Sequence, residues 1–199
     1  MRRRWFVGWY ASGYIAAMNI QTLPRMTVDE FLVWAEGRPG RYELVDGVVC
    51  QMAPEKVRHA ETKAECFIAL RAASRRAGAA CHALPDGMTV RITDRTAFEP
   101  DALVYCGDKL PGDDLEVRAP VIVVEVISPS TSSRDTGAKL KGYFSLPSVR
   151  HYLIVDATEK SVVHHVRDEG GAIATHIVTE GVLRLDPPGL DVPLSEMFA

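Results

Sequence analysis

The sequence predicts an α/β or α+β domain built on a mixed β-sheet, and three observations carry that reading. Residues 120–127, Pro-Val-Ile-Val-Val-Glu-Val-Ile, are the most β-branched run in the chain and read as a central strand buried on both faces. Helical patterns over about 57–77 and 134–145 are interleaved with short strand patterns. Asp46-Gly47 sits between two β-rich runs, which is the strongest short-range hairpin signal.

The elements follow in chain order. Thr27-Val-Asp-Glu30 is a capping box, so a short helix starts there, with Phe31, Leu32 and Ala35 on one side and Gly37 at its end. Tyr42–Val45 and Val48–Met52 are the two arms of the hairpin. The long helix from about Val57 to Ala77 is expected to present Ala60, Ala64, Phe67, Ile68 and Ala72 on one face and to stop at Gly78. Strands are expected at 80–84, at 88–92 and between Phe98 and Cys106, followed by a polar loop over 107–118 and then the central strand. Ser128-Pro-Ser-Thr131 breaks that strand, and a helix runs from about Arg134 to Ser145 before Pro147. His151–Asp156 and two runs near 161–166 and 173–178 close the pattern as a meander.

Composition bounds what such a domain does. The chain has 199 residues, 47% apolar and 25% charged, with a net charge of −3. That is a single soluble-type domain, neither disordered nor coiled coil, and it carries no overall basic coat for nucleic acid. No apolar run reaches the ~18 residues of a bilayer-spanning helix, so no membrane partner is expected. Cys50, Cys66, Cys81 and Cys106 form no CxxC pair; they read as four reduced thiols in the cytoplasm rather than a zinc site. Residues 1–25 stand apart. Three arginines precede an aromatic stretch broken by Gly8, Ser12 and Gly13, which imitates a secretory signal poorly and reads as an N-terminal extension. The domain is therefore assigned to residues 26–199.

Several polar residues interrupt apolar pattern. Glu125 is the one carboxylate among the Val and Ile residues of 121–127, and a buried charge there requires a cation, a metal or hydrogen bonds. Glu99-Pro-Asp101 opens another apolar strand, so Asp101 and Glu125 can converge from neighbouring strands on a hard cation such as Mg²⁺. Asp135, Lys139 and Tyr143 stand at i, i+4 and i+8 on one helix face, and Lys141 lies well round from it. Plainer readings stand beside these: Glu125 as a strand-end ion pair, Asp101 as a turn residue, Lys139 as the exposed partner of Asp135. Glu43 and His59 are weaker candidates. His164 and His165 are adjacent on a strand and point to opposite faces.

Pro100-Asp101 followed by Glu125 on an apolar strand resembles the PD-(D/E)XK nuclease signature. The fuller set resembles the Uma2 family, also called DUF820. It comprises Met26–Leu32, Tyr42-Glu-Leu-Val-Asp-Gly47, His59, Pro100-Asp101, Val124–Thr131, Asp135, Lys139, Tyr143 and Tyr152–Asp156. The resemblance implies a restriction-endonuclease-like core, a mixed sheet flanked by helices. It also implies Mg²⁺ or Mn²⁺ held by Asp101 and Glu125, with Glu43 as a further acid and His59, Asp135 and Tyr143 as accessory residues. Ile127 stands where the general signature has its lysine; the resemblance moves that role to Lys139. The implied activity is endonucleolytic hydrolysis of DNA, by a homodimer if two sites are paired on a duplex, with Arg71, Arg75, Arg76 and Lys141 available to phosphates. The competing reading is a nuclease-fold module that binds nucleic acid or a protein without cutting.

Overall fold

The structure, a computed structural model, describes residues 25–127 and 133–198, and only the backbone of 133–135. The N-terminal extension falls almost wholly outside the described residues. Thr27 caps α1 (Val28–Ala35) through the expected reciprocal bonds with Glu30. The hairpin β1 (Tyr42–Val45) and β2 (Val48–Gln51) turns at Asp46 and Gly47, whose φ values of 50° and 80° are the left-handed pair such a tight turn requires. α2 (Val57–Arg76) leads to β3 (Cys81–Pro85), β4 (Val90–Thr93), β5 (Thr96–Phe98), β6 (Ala102–Cys106) and β7 (Pro120–Ile127). α3 (Ser133–Ser145) crosses to β8 (His151–Asp156), followed by β9 (Ser161–Arg167), β10 (Ile173–Val178), β11 (Val182–Leu185), β12 (Leu190–Pro193) and a 3₁₀ turn at Leu194–Met197.

The central sheet has six strands in the order β10-β9-β8-β7-β6-β3. Only β7 and β8 run parallel, as a β-strand–helix–β-strand crossover through α3 demands, so the sheet is mixed. A second sheet, β2-β1-β5-β4, packs at its side, and β11-β12 form a ribbon. Alternation along β7 sends Ile122, Val124 and Val126 toward α2, β11 and β12, and Val123 toward Tyr143, Tyr152 and Phe98. Glu125 shares the parity of Val123 and therefore enters the α3 side of the sheet. Val28 and Phe31 of α1 pack on Leu44 and Ala97 of the small sheet.

Three expectations require correction. β5, β11 and β12 were not foreseen, because strands of three and four residues carry too few alternations to register. The buried face of α2 is Thr62, Lys63, Cys66, Ala69, Leu70, Ala73 and Ser74, whereas Ile68 is 52% exposed. Apolarity alone pointed to the wrong stripe, since the true one includes polar groups with partners inside: Ser74 Oγ donates to Leu70 O at 2.9 Å, and Lys63 is ion-paired. Cys81 and Cys106 form a disulfide, against the reading of four thiols. They face one another in the β3/β6 register with Cα atoms 3.9 Å apart, a proximity their separation of 25 residues conceals. Cys50 and Cys66 remain thiols, and burial pushes Cys66 up to about 12. Arg76 pairs with Glu196 on the surface. It lies 17 residues from His59, ~25 Å along α2 at ~1.5 Å per residue, and Arg71 and Arg75 share that far half.

His151 and His164 occupy the face of the sheet nearer β11 and β12, with Nδ1 and Nε2 2.9 Å apart, while His151 Nε2 lies 2.9 Å from Pro187 O. Burial holds both well below the usual 6.5, at about 4. As pH falls from 6.5 toward 4 the unfolded chain takes up protons that the native pair refuses, so the pair costs stability progressively across that window. In melting curves from pH 7.5 to 4.5, a His151→Gln, His164→Gln variant should lose less Tm than wild type. Parallel curves would assign the acid sensitivity to other groups.

Candidate active site

Four elements deliver the candidate residues to one place. Leu44 of β1 fills the core of the small sheet, so Glu43 beside it turns the other way; its Oε1 accepts the Glu99 N–H at 3.0 Å. Asp101 immediately precedes β6, whose Ala102 pairs with Val124, so it lies next to Glu125 across the ladder. Its N–H donates to Val124 O at 3.0 Å and its Oδ2 accepts the Val126 N–H at 2.7 Å, which fixes the carboxylate against β7. Asp101 is 4% and Glu125 8% exposed.

α3 supplies the neutralising cation. Lys139 Nζ stands 3.0 Å from both oxygens of Glu125 and 2.9 Å from Glu43 Oε1. One turn on, the buried Tyr143 hydroxyl donates to Glu125 Oε1 at 2.6 Å. Lys141 is exposed. Gly142 lets the helix come this close: a Cβ there would meet Phe98 Cε2 at 2.6 Å. Burial pushes Glu125 up to about 7 even though Lys139 opposes the shift, and it pushes Asp101 up as well. Burial acts the other way on Lys139, but the two carboxylates outweigh it and raise the ammonium. Lys139 is thus a permanent charge in a low-dielectric site. The Asp135 side chain lies outside the described residues.

A second set of groups meets Asp101 from α2. His59 Nε2 lies 2.7 Å from Val126 O, and because a carbonyl only accepts, that nitrogen carries the proton. His59 Nδ1 is buried with no hydrogen-bond partner and stands 3.7 Å from Glu55 Oε2. Ligand atoms of Glu55, His59 and Asp101 all fall within 4.8 Å of one another. Behind them lies an ion-pair network absent from the sequence reading. Lys63 bonds Glu55 and Asp86 and lies 3.6 Å from Asp101 Oδ1. Arg41 pairs with Glu55, with Asp86 at 3.0 Å and with Glu99 at 2.7 Å. The signal that could have found part of it is the spacing Glu55, His59, Lys63, which repeats every four residues where α2 begins.

Glu43, Glu55, His59, Asp101, Glu125 and Lys139 all line one cavity of about 820 Å³. Chemically this is four carboxylates and one imidazole around a gap, with a fixed ammonium beside it. Asp101 and Glu55 each retain oxygen lone pairs, and the orphaned His59 lone pair is what a cation would satisfy.

Comparison with known proteins agrees with this architecture. The family model Uma2, described as "Putative restriction endonuclease", matches residues 28–195. A protein of Synechocystis sp., named only as uncharacterized, is 24% identical over 177 residues, covering 88% of this chain and 92% of that one. A crystal structure of a "putative nuclease belonging to DUF820" from Anabaena variabilis superposes with a TM-score of 0.66. It is 17% identical and covers 86% of this chain and 97% of its own, so the likeness is one of fold.

Proposed function

We propose that this chain, which belongs to the Uma2 family, is a divalent-metal-dependent endonuclease that hydrolyses phosphodiester bonds in DNA. One observation carries the reading: Glu43, Asp101, Glu125 and Lys139 converge from β1, β6, β7 and α3 on a single cavity. Structural ion pairs need no cavity, and a core needs no such concentration of acids.

The residues fit Mg²⁺ or Mn²⁺. Asp101 would hold the ion, with Glu125 on one side and Glu55 and His59 on the other; the unsatisfied His59 Nδ1 speaks for a cation there. The imidazole favours Mn²⁺ over Mg²⁺, because nitrogen donors suit the softer ion. A bound metal supplies Lewis acidity toward the phosphate and makes water acidic enough to attack at neutral pH. The chain's own residues do the rest. Lys139 stabilises the negative charge that builds on the phosphate, without any reorganisation, because Glu43 and Glu125 hold it in place. Tyr143 orients Glu125, and the Val126 N–H orients Asp101.

The test is cleavage of supercoiled plasmid and of circular single-stranded DNA, with Mn²⁺, with Mg²⁺ and with chelator. Metal-dependent nicking or linearisation of either DNA, faster with Mn²⁺, is expected. Tight DNA binding with no cleavage under any metal would replace this reading with that of a binding module, in which Lys139 keeps Glu125 permanently occupied.

A further inference from the structure

Resting on that nuclease reading, we infer that the site takes an unpaired DNA strand or a frayed end, one nucleotide deep, rather than an intact duplex. The charge around the cavity carries the argument. Among the described residues that line it, the exposed cations are Lys56 and Arg58, both at the start of α2. Lys139 is internal and committed to Glu43 and Glu125, and Arg41 and Lys63 are committed to Glu55 and Asp86. Proteins that bind a duplex neutralise ~6–10 phosphates. The cations of the distant half of α2, Arg71, Arg75 and Arg76, lie at least ~18 Å along the helix from His59, too far to grip the same nucleotide.

Two cations hold one or two phosphates. They sit at the first turn of α2, which has no capping side-chain bond and no acidic residue of its own, while Glu55 just before it is paired with Arg41 and Lys63. The same cavity has an apolar wall that includes Met52, Ala53, Pro54 and Ala157. A base can lie against that wall, and a cavity of about 820 Å³ is of the size that encloses a small ligand. Depth completes the argument. Asp101 and Glu125 are 4% and 8% exposed, and a recessed centre is reached by a nucleotide that can leave its stack. An unpaired strand makes that displacement at least cost.

The test is fluorescence-anisotropy titration of the full chain in chelator, where nothing is cut. A single-stranded oligonucleotide is compared with the same sequence as blunt duplex, as duplex with a frayed end, and as RNA, each at several salt concentrations. The single strand and the frayed end should bind at least tenfold more tightly than the blunt duplex. Their log–log salt slope should be near −1.5, from ~0.7 per phosphate for two contacts. Lys56→Ala with Arg58→Ala, both on the surface, should weaken binding and bring the slope close to zero. Tightest binding to blunt duplex, a slope steeper than −5, preference for RNA, or an unchanged double variant would each overturn the inference. Metal-dependent cutting of duplex plasmid at the rate of circular single strands would also overturn it while leaving the nuclease reading intact. Failure to bind or cut any DNA would remove both.

Discussion

Lys139→Ala should abolish cleavage and destabilise the fold together. Its ammonium is buried and bonded to the carboxylates of Glu125 and Glu43, so its loss leaves the two facing one another uncompensated. Removing one partner of such a pair costs about 3–5 kcal/mol. Removing a preorganised charge-stabilising donor costs ~10²–10³-fold in rate. The two effects separate by design. Lys139→Met combined with Glu125→Gln removes the charge conflict, so it should recover most of the lost Tm and none of the activity. Lys141→Ala, on the exposed side of α3, should resemble wild type in both. An active, folded Lys139→Ala would sink the role assigned to this lysine.

Asp101→Asn should have the second large effect, and it should fall on metal binding. The substitution keeps the shape of the side chain and one oxygen to accept the Val126 N–H. It removes the charge shared by Glu125, Glu55 and His59. Thermal stabilisation by Mn²⁺ and calorimetric binding should fall at least ~10-fold, the lower end of what even supporting residues of metal sites contribute. Without metal the variant should be as stable as wild type or more so, because burial already disfavours the Asp101 charge. If instead Mn²⁺ binds Asp101→Asn as it binds wild type, the metal centre lies elsewhere and the cleavage chemistry must be reassigned.

The legibility of this site was uneven for identifiable reasons. Glu125 was visible because a single carboxylate in an eight-residue apolar strand is costly unless partnered, and the partner lay on the next helix at i, i+4 spacing from Tyr143. Glu43 was weakly visible, since alternation alone puts a polar residue there. Arg41 and Asp86 were silent, and Glu55 and Lys63 were marked only by their four-residue spacing through His59: charge is ordinary in these segments, and nothing local shows which groups turn inward.

Features that depend on neighbours within a few residues are legible in the chain alone. The capping box at Thr27, the tight turn at Asp46-Gly47, the double-sided burial of 120–127 and the shared face of Lys139 and Tyr143 are set by backbone sterics and periodicity, which act locally. Features that depend on strand order and register arise only in the folded molecule. Pairing β3 with β6 brought Cys81 to Cys106, and pairing β6 with β7 set Asp101 beside Glu125. Packing α2 across the sheet turned Lys63 inward and aimed His59 at Val126. Those contacts join residues 24 to 67 positions apart, and their free energy comes from burial against partners that no local pattern encodes.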